Sequence, residues 1–270
     1  MRHPAGSRGS LAILAAPNKI CSTTSRAKRG FDLILVARSV EPLKALAASL
    51  SSASGRHITS IVADLNNETD LAKVETKLKD DPSITMLLNN AGFASVAPLL
   101  EADIRKMQDM IALNVTALTR LTYAAAPAFV KRGTGTIINI GSAAGISVEA
   151  LNGVYGASKA YVLAFSLSLQ YELTSKGIRV QAVLPGRTAT DGWEVAGLPW
   201  QQQPPSIVMP VEDMVDAALV GLDLGELVTI PGLHNGDEWT RFEAARRAML
   251  PQFGTSVPAP RYRNQARRSA

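Results

Sequence analysis

Thr136-Ile137-Ile138-Asn139-Ile140-Gly141-Ser142, followed by Tyr155-Gly156-Ala157-Ser158-Lys159, is the stretch from which the rest of the chain can be read. The run Thr136–Ile140 is apolar and of strand length, which reads as a buried strand. Ser142 then falls at a strand's carboxyl end, where open α/β sheets place their ligands. Tyr155 and Lys159 stand four apart, so on a helix both side chains leave the same face one turn from each other. An ammonium held beside a phenol favours the phenolate and draws its pKa down toward neutral pH. The pair is then a general acid/base for a reaction at a carbonyl or an alcohol.

Working outward, Asn89-Asn90-Ala91-Gly92 closes the apolar strand Ile84–Leu88 with small residues that let backbone approach a flat ligand. Asn114 places an amide in the middle of a long amphipathic helix, Ala102–Lys131. Asp64 puts an acid at the end of a strand, His57–Ala63, and Pro185-Gly186 follows Ile178–Leu184. No one of these is specific alone. In this order and spacing they resemble the short-chain dehydrogenase/reductase family, from Gly30 to about Leu250.

That resemblance implies that Tyr155 gives a proton to a carbonyl oxygen while a nicotinamide delivers hydride to the carbon. Lys159 would hold the nicotinamide ribose and depress the Tyr155 pKa. Ser142 would polarise the carbonyl, and Asn114 would hold a water leading from Lys159 to solvent. Asp64 and Leu65 would flank the adenine, with Asn90, Ala91 and Gly92 along the cofactor. Pro185-Gly186-Arg187-Thr188-Ala189-Thr190 resembles the family's Pro-Gly-x-x-x-Thr, so Pro185 and Gly186 line the cofactor and Thr188 and Thr190 would hold the nicotinamide amide. Without that context, Asp64 reads as an N-cap ahead of Glu68–Lys79 and Asn114 as a helix-bend amide. Arg38, after the strand Leu33–Ala37, suits the 2′-phosphate of NADP where an acid would suit NAD.

One family element is missing. A Thr-Gly-x-x-x-Gly-x-Gly turn should follow the first strand, because the pyrophosphate approaches backbone N–H groups at a helix N-terminus. Its glycines should fall near Ile13, Pro17 and Lys19, but no glycine occurs between Ser10 and Arg29, and Pro17 removes a donor. Leu11–Ala16 can still form the first strand. Residues 1–26 therefore read as an aberrant segment: a misassigned or frame-shifted start, a genuine divergence, or a basic targeting peptide. The abrupt onset of the resemblance at Ala27 favours the first.

The strand and helix patterns alternate through Val40–Ser52, Glu68–Lys79, Tyr155–Lys176 and Val211–Leu222 to a last strand at Glu226–Ile230. This predicts an α/β fold, a single Rossmann-like, doubly wound parallel sheet with helices on both faces, over residues 27–253. Residues 254–270 read as a flexible basic tail. Of the 28 Lys and Arg, ten lie in the two ends, leaving 18 against 23 acids across residues 31–253. That acidic body argues against nucleic acid, and no apolar run reaches bilayer length. The single Cys21 suits a reducing cytoplasm, and no metal-ligand spacing is present. Wide apolar faces on Ala102–Lys131 and Tyr155–Lys176 suggest a homodimer or homotetramer, as the family commonly forms. Phe93-Ala94, Ile146, Val148, Leu151 and the segment 186–210, with Trp193, Leu198 and Trp200, should surround the reacting carbonyl or alcohol of a small to medium lipophilic substrate. The competing reading is a non-catalytic fold member that lost its cofactor loop and acts as a binding or scaffold protein.

Overall fold

The computed structural model describes residues 10–14, 29–151, 153–190 and 192–263. Seven parallel strands form one sheet in the order β3-β2-β1-β4-β5-β6-β7. They are β1 Ser10–Leu14, β2 Asp32–Ala37, β3 Ile58–Val62, β4 Ile84–Asn89, β5 Gly135–Ile140, β6 Ile178–Val183 and β7 Val228–Thr229. The first strand begins one residue before the Leu11–Ala16 run and is described to Leu14, and it is central. Leu11 pairs with Leu33 on one side and with Met86 on the other. Strand order reverses at β1, which opens a crevice beyond the carboxyl ends of β1 and β4. The turn after β1, with Pro17, Lys19 and the expected glycine positions, lies outside the described residues, as does Cys21.

The inner strands β2 and β4 read as near-continuous apolar runs because both sheet faces are covered there. Side-chain alternation splits β2 cleanly. Ile34 and Val36 join Leu121, Phe129, Ile137 and Val180 in one core layer. Leu33, Leu35 and Ala37 join Leu43, Leu88, Ile138 and Leu222 in the other. The first layer receives α2 (Glu68–Asp80), α4 (Leu118–Arg132) and α5 (Gly153–Leu173); the second receives α1 (Val40–Ser54) and α7 (Val211–Leu224). Asn67, not Asp64, caps α2, its side chain accepting from the Asp70 N–H at 3.1 Å.

The long helix expected over Ala102–Lys131 is not uniform. It runs as α3 (Ile104–Ile111), a π-helical turn (Ala112–Ala117) and α4. Such turns bulge one residue out of the α ladder and often mark functional positions. Here the bulge contains Asn114.

The described chain falls into two compact units, Met1–Gly232 and Leu233–Ala270. The short α6 (Gly192–Ala196) lies in the first. The second holds a helix that the sequence reading did not assign, α8 (Gly236–Ala248), and a short α9 (Pro260–Arg263). Asn235 caps α8, and Glu243 binds Arg246 at 2.7 Å and Arg247 at 2.8 Å across one turn. Arg246, and then Arg247, hold the Glu243 carboxyl down to about 2.

Candidate active site

Three loops meet beyond the carboxyl ends of β4, β5 and β6. Ser142, two residues past β5, is extended, and its Oγ accepts the Ala144 N–H at 3.1 Å, which starts a tight turn back toward α5. That turn and the helix touch backbone to backbone. A Cβ on Gly145 would stand 2.7 Å from the Lys159 carbonyl oxygen, and one on Gly156 would stand 2.9 Å from the Val148 carbonyl oxygen. Glycine is required at both by close approach, and the contact fixes Ser142 against the first turn of α5.

Tyr155 lies in that first turn and hydrogen-bonds Ser142. Lys159 follows one turn later, 7% exposed, its Nζ donating to the Ile140 carbonyl at 3.0 Å. Nζ lies 5.9 Å from the Tyr155 ring centroid. The expectation that Lys159 draws the phenol's pKa down is revised by this geometry. Burial pushes Tyr155 above its ordinary value, and the Ser142 hydrogen bond opposes that shift without cancelling it. Loss of hydration costs the phenolate more than one hydrogen bond returns. The phenol is therefore held in its proton-donating form at neutral pH.

Asn114 is 1% exposed and clamps the loop after β4. Its Oδ1 accepts the Phe93 N–H at 3.1 Å; its Nδ2 donates to the Phe93 carbonyl at 3.0 Å and to Ser158 Oγ at 3.1 Å. Ser158 in turn donates to the Tyr155 carbonyl at 2.8 Å. One amide thus ties the Asn90–Phe93 loop to the helix that carries Tyr155. Gly92 lies so close that a Cβ there would approach Asn114 Oδ1 to 2.9 Å and Lys159 Nζ to 3.5 Å. Asn90 is 7% exposed, and its Nδ2 has no partner among the described residues. Ala91 packs on the core instead.

These loops enclose a cavity of about 320 Å³. Ser142, Tyr155, Lys159, Asn90 and Gly92 line it, with Pro185, Gly186, Thr188 and Thr190 on the β6 side. Thr188 is buried and bridges to Met209. Phe93, Ala94, Leu151 and Trp193 form apolar wall as expected, but Ile146 and Val148 do not line it and stand exposed at 36% and 40%. They sit on the outer side of the tight turns that carry Ser142 toward α5. Leu198 and Trp200 also lie outside the lining, while Met214, Val215 and Ala218 of α7 enter it. The i, i+1, i+4 spacing of those three was the available sequence signal.

Arg38, Asp64 and Leu65 are not part of this cavity. Arg38 is exposed directly after β2, and its side chain makes no ion pair among the described residues. Asp64 folds onto its own loop, Oδ1 accepting the Asn66 N–H at 3.0 Å, and Leu65 is buried. Among the described residues, no group of His, Cys, Asp and Glu could hold a metal ion. No described helix is long and apolar enough to cross a membrane.

The short chain dehydrogenase family model matches residues 20–197. A short-chain dehydrogenase from Sphingobium yanoikuyae, solved in complex with NADPH, is 43% identical, with a TM-score of 0.90 over 94% of this chain and 100% of its own. The bulky-bulky ketone specific alcohol dehydrogenase from Comamonas testosteroni is 38% identical, with a TM-score of 0.88 over 96% and 100%. Hydroxysteroid dehydrogenase-like protein 1 of Gallus gallus is 34% identical over 61% of this chain and 50% of its own length. The chain thus spans about half the length of the first curated relatives it matches.

Proposed function

From the premise that the chain belongs to the short-chain dehydrogenase family, we propose that it is an NADP(H)-dependent oxidoreductase. It reduces the carbonyl of a bulky, largely apolar ketone or oxidises the corresponding alcohol. The observation that carries this reading is the buried Tyr155, hydrogen-bonded to Ser142 with Lys159 one turn away, opening on an apolar cavity.

The residues present fit a nicotinamide dinucleotide. Gly92 lets its loop lie against Asn114 and Lys159, where a Cβ would collide, and the buried Asn90 Nδ2 on the cavity wall is a donor with no acceptor among the described residues. Asn90, Gly92, Thr188 and Thr190 would hold the nicotinamide end, and Lys159 its ribose. Arg38 would hold the 2′-phosphate, with Asp64 and Leu65 beside the adenine. When bound, the dinucleotide supplies or accepts the hydride. Ser142 orients the substrate oxygen, and Tyr155 hands its proton to that oxygen as the alcohol forms. Lys159 fixes the polarity around the phenol, and Asn114 keeps the Phe93 loop and the Tyr155 helix in register. The apolar wall excludes water from the reacting carbon.

Tyr123 and Tyr171, exposed at 68% and 91% on α4 and α5, support pairing of copies through these helices as a homodimer or homotetramer. The single cysteine supports a reducing cytoplasm. The test is NADPH oxidation across a panel of ketones of rising bulk. Turnover should be highest for ketones with two large apolar groups; no turnover with any ketone, or with NADPH bound tightly and unused, would sink the reading.

One observation favours a weaker enzyme. Residues 11–28 contain no glycine and include Pro17, where backbone donors for the pyrophosphate are expected. Replacing residues 11–26 by a strand followed by Thr-Gly-x-x-x-Gly-x-Gly should tighten NADPH by roughly tenfold, about 1.4 kcal/mol. Equal affinities for chain and chimera would mean that the native segment builds a working phosphate site.

A further inference from the structure

The cavity is apolar along most of its wall, yet its lining carries two cations, Lys159 and Arg187, and no carboxylate among the described residues. Lys159 is engaged with Ile140 and placed beside Tyr155. Arg187 has no such account. It follows Gly186 in the loop that leaves β6, it is exposed, and its guanidinium makes no ion pair or hydrogen bond among the described residues. Its backbone, however, is held. The Met209 N–H donates to the Arg187 carbonyl at 2.9 Å, the Ala189 N–H donates to the Met209 carbonyl at 2.9 Å, and Thr188 between them is buried. The fold thus fixes the root of this side chain at the rim and gives its head no counter-charge among the described residues.

We infer that Arg187 reads an anionic group, a carboxylate, on the oxo substrate whose carbonyl is set at Ser142 and Tyr155; this rests on the oxidoreductase reading above. A cleft lined by one sign of charge with low-dielectric walls focuses its field and raises the local concentration of the opposite ion. A guanidinium presents a planar fork that matches a carboxylate in two parallel hydrogen bonds. The same cavity wall includes Leu151, Trp193, Ile207 and Met214, all apolar. The substrate class that satisfies both ends is an apolar keto acid, or the hydroxy acid in the oxidative direction. Arg187 is then a specificity residue and takes no part in proton transfer.

The experiment compares a medium-chain keto acid with its methyl ester, binding to the full chain and to Arg187→Gln, by calorimetry without reduced cofactor. NADPH titrations on both proteins accompany it. The acid should bind the native chain roughly fivefold more tightly than the ester at low salt, since a rim-exposed pair is modest. Arg187→Gln should erase that preference and leave ester and NADPH affinities unchanged. Equal binding of acid and ester to the native chain overturns the assignment, as does a preference that survives the substitution. A parallel loss of NADPH affinity also overturns it, because the arginine then serves the cofactor phosphates. Acid preference without any turnover would instead remove the oxidoreductase reading and leave Arg187 standing.

Discussion

Under the proposed function, the two ends of the crevice are built on opposite principles. At the chemical end, Asn114, Ser158 and Lys159 are all under a tenth exposed and hydrogen-bonded to one another's loops or to backbone. At the other end, Arg38 is exposed, and the carboxylate of Asp64 touches only its own loop. Proton transfer needs fixed geometry and a dry surrounding, since misplacement by an ångström is costly. Reading a phosphate needs only charge within reach, and an exposed guanidinium supplies that while remaining subject to screening. Substitutions at the two ends should therefore fail in different ways.

The sharpest break is Tyr155→Phe. Turnover should fall by roughly 10²–10⁴-fold, the usual worth of a positioned general acid, with the NADPH dissociation constant nearly unchanged. Near-native turnover on any accepted substrate would remove Tyr155 from the mechanism. The pH profile sharpens the same point. Because burial raises the phenol above its ordinary value of 10.0, the donating form persists through neutral pH, and reduction should decline only as pH climbs past that value. A decline centred near neutrality would show that the phenol is depressed instead.

Next in size is Asn114→Ala. It leaves the part-buried N–H and carbonyl of Phe93 without their side-chain partner and removes one of the two hydrogen bonds of the Ser158 hydroxyl, which should cost about 2–4 kcal/mol. Urea unfolding reads this directly, and turnover should fall with it. Asp64→Ala, at the open end, should move the urea midpoint far less. Equal shifts for the two would erase the distinction between clamped and open ends.

The smallest expected effect is the most specific. Arg38→Ala should weaken NADPH by roughly tenfold, about 1.4 kcal/mol, and leave NADH almost untouched, because the guanidinium pairs with a phosphate that only one of them carries. Added salt should narrow that gap in the native chain. Equal losses for the two dinucleotides would show that Arg38 does not read the 2′-phosphate.

The sheet was legible because β2, β4, β5 and β6 are buried on most of both faces and so write themselves as apolar runs; even β1 shows as Leu11–Ala16. Ser142, Tyr155 and Lys159 were legible because their spacing is itself the geometry. What stayed hidden acts through contacts between distant segments. Gly145 and Gly156 matter because two backbones touch, and nothing in their own neighbourhoods says so. The π turn at Ala112–Ala117 shifts the winding by one residue, too little to interrupt the apolar periodicity of Ala102–Lys131. The direction of the Tyr155 shift depends on burial, whereas the sequence displays only its partner Lys159. In α8, only Trp239 and Phe242 are large and apolar within Gly236–Ala248, so no stripe marks it.

The place of β1 carries one more consequence. Among the described residues it is the first strand and the only seam between β2–β3 and β4–β7. Without its pairing, the sheet would part into a two-stranded and a four-stranded piece, and an isolated strand pair is marginal in water. Cooperative unfolding of the whole sheet is then set by five residues, Ser10–Leu14. One short strand thus makes the rest a single thermodynamic body.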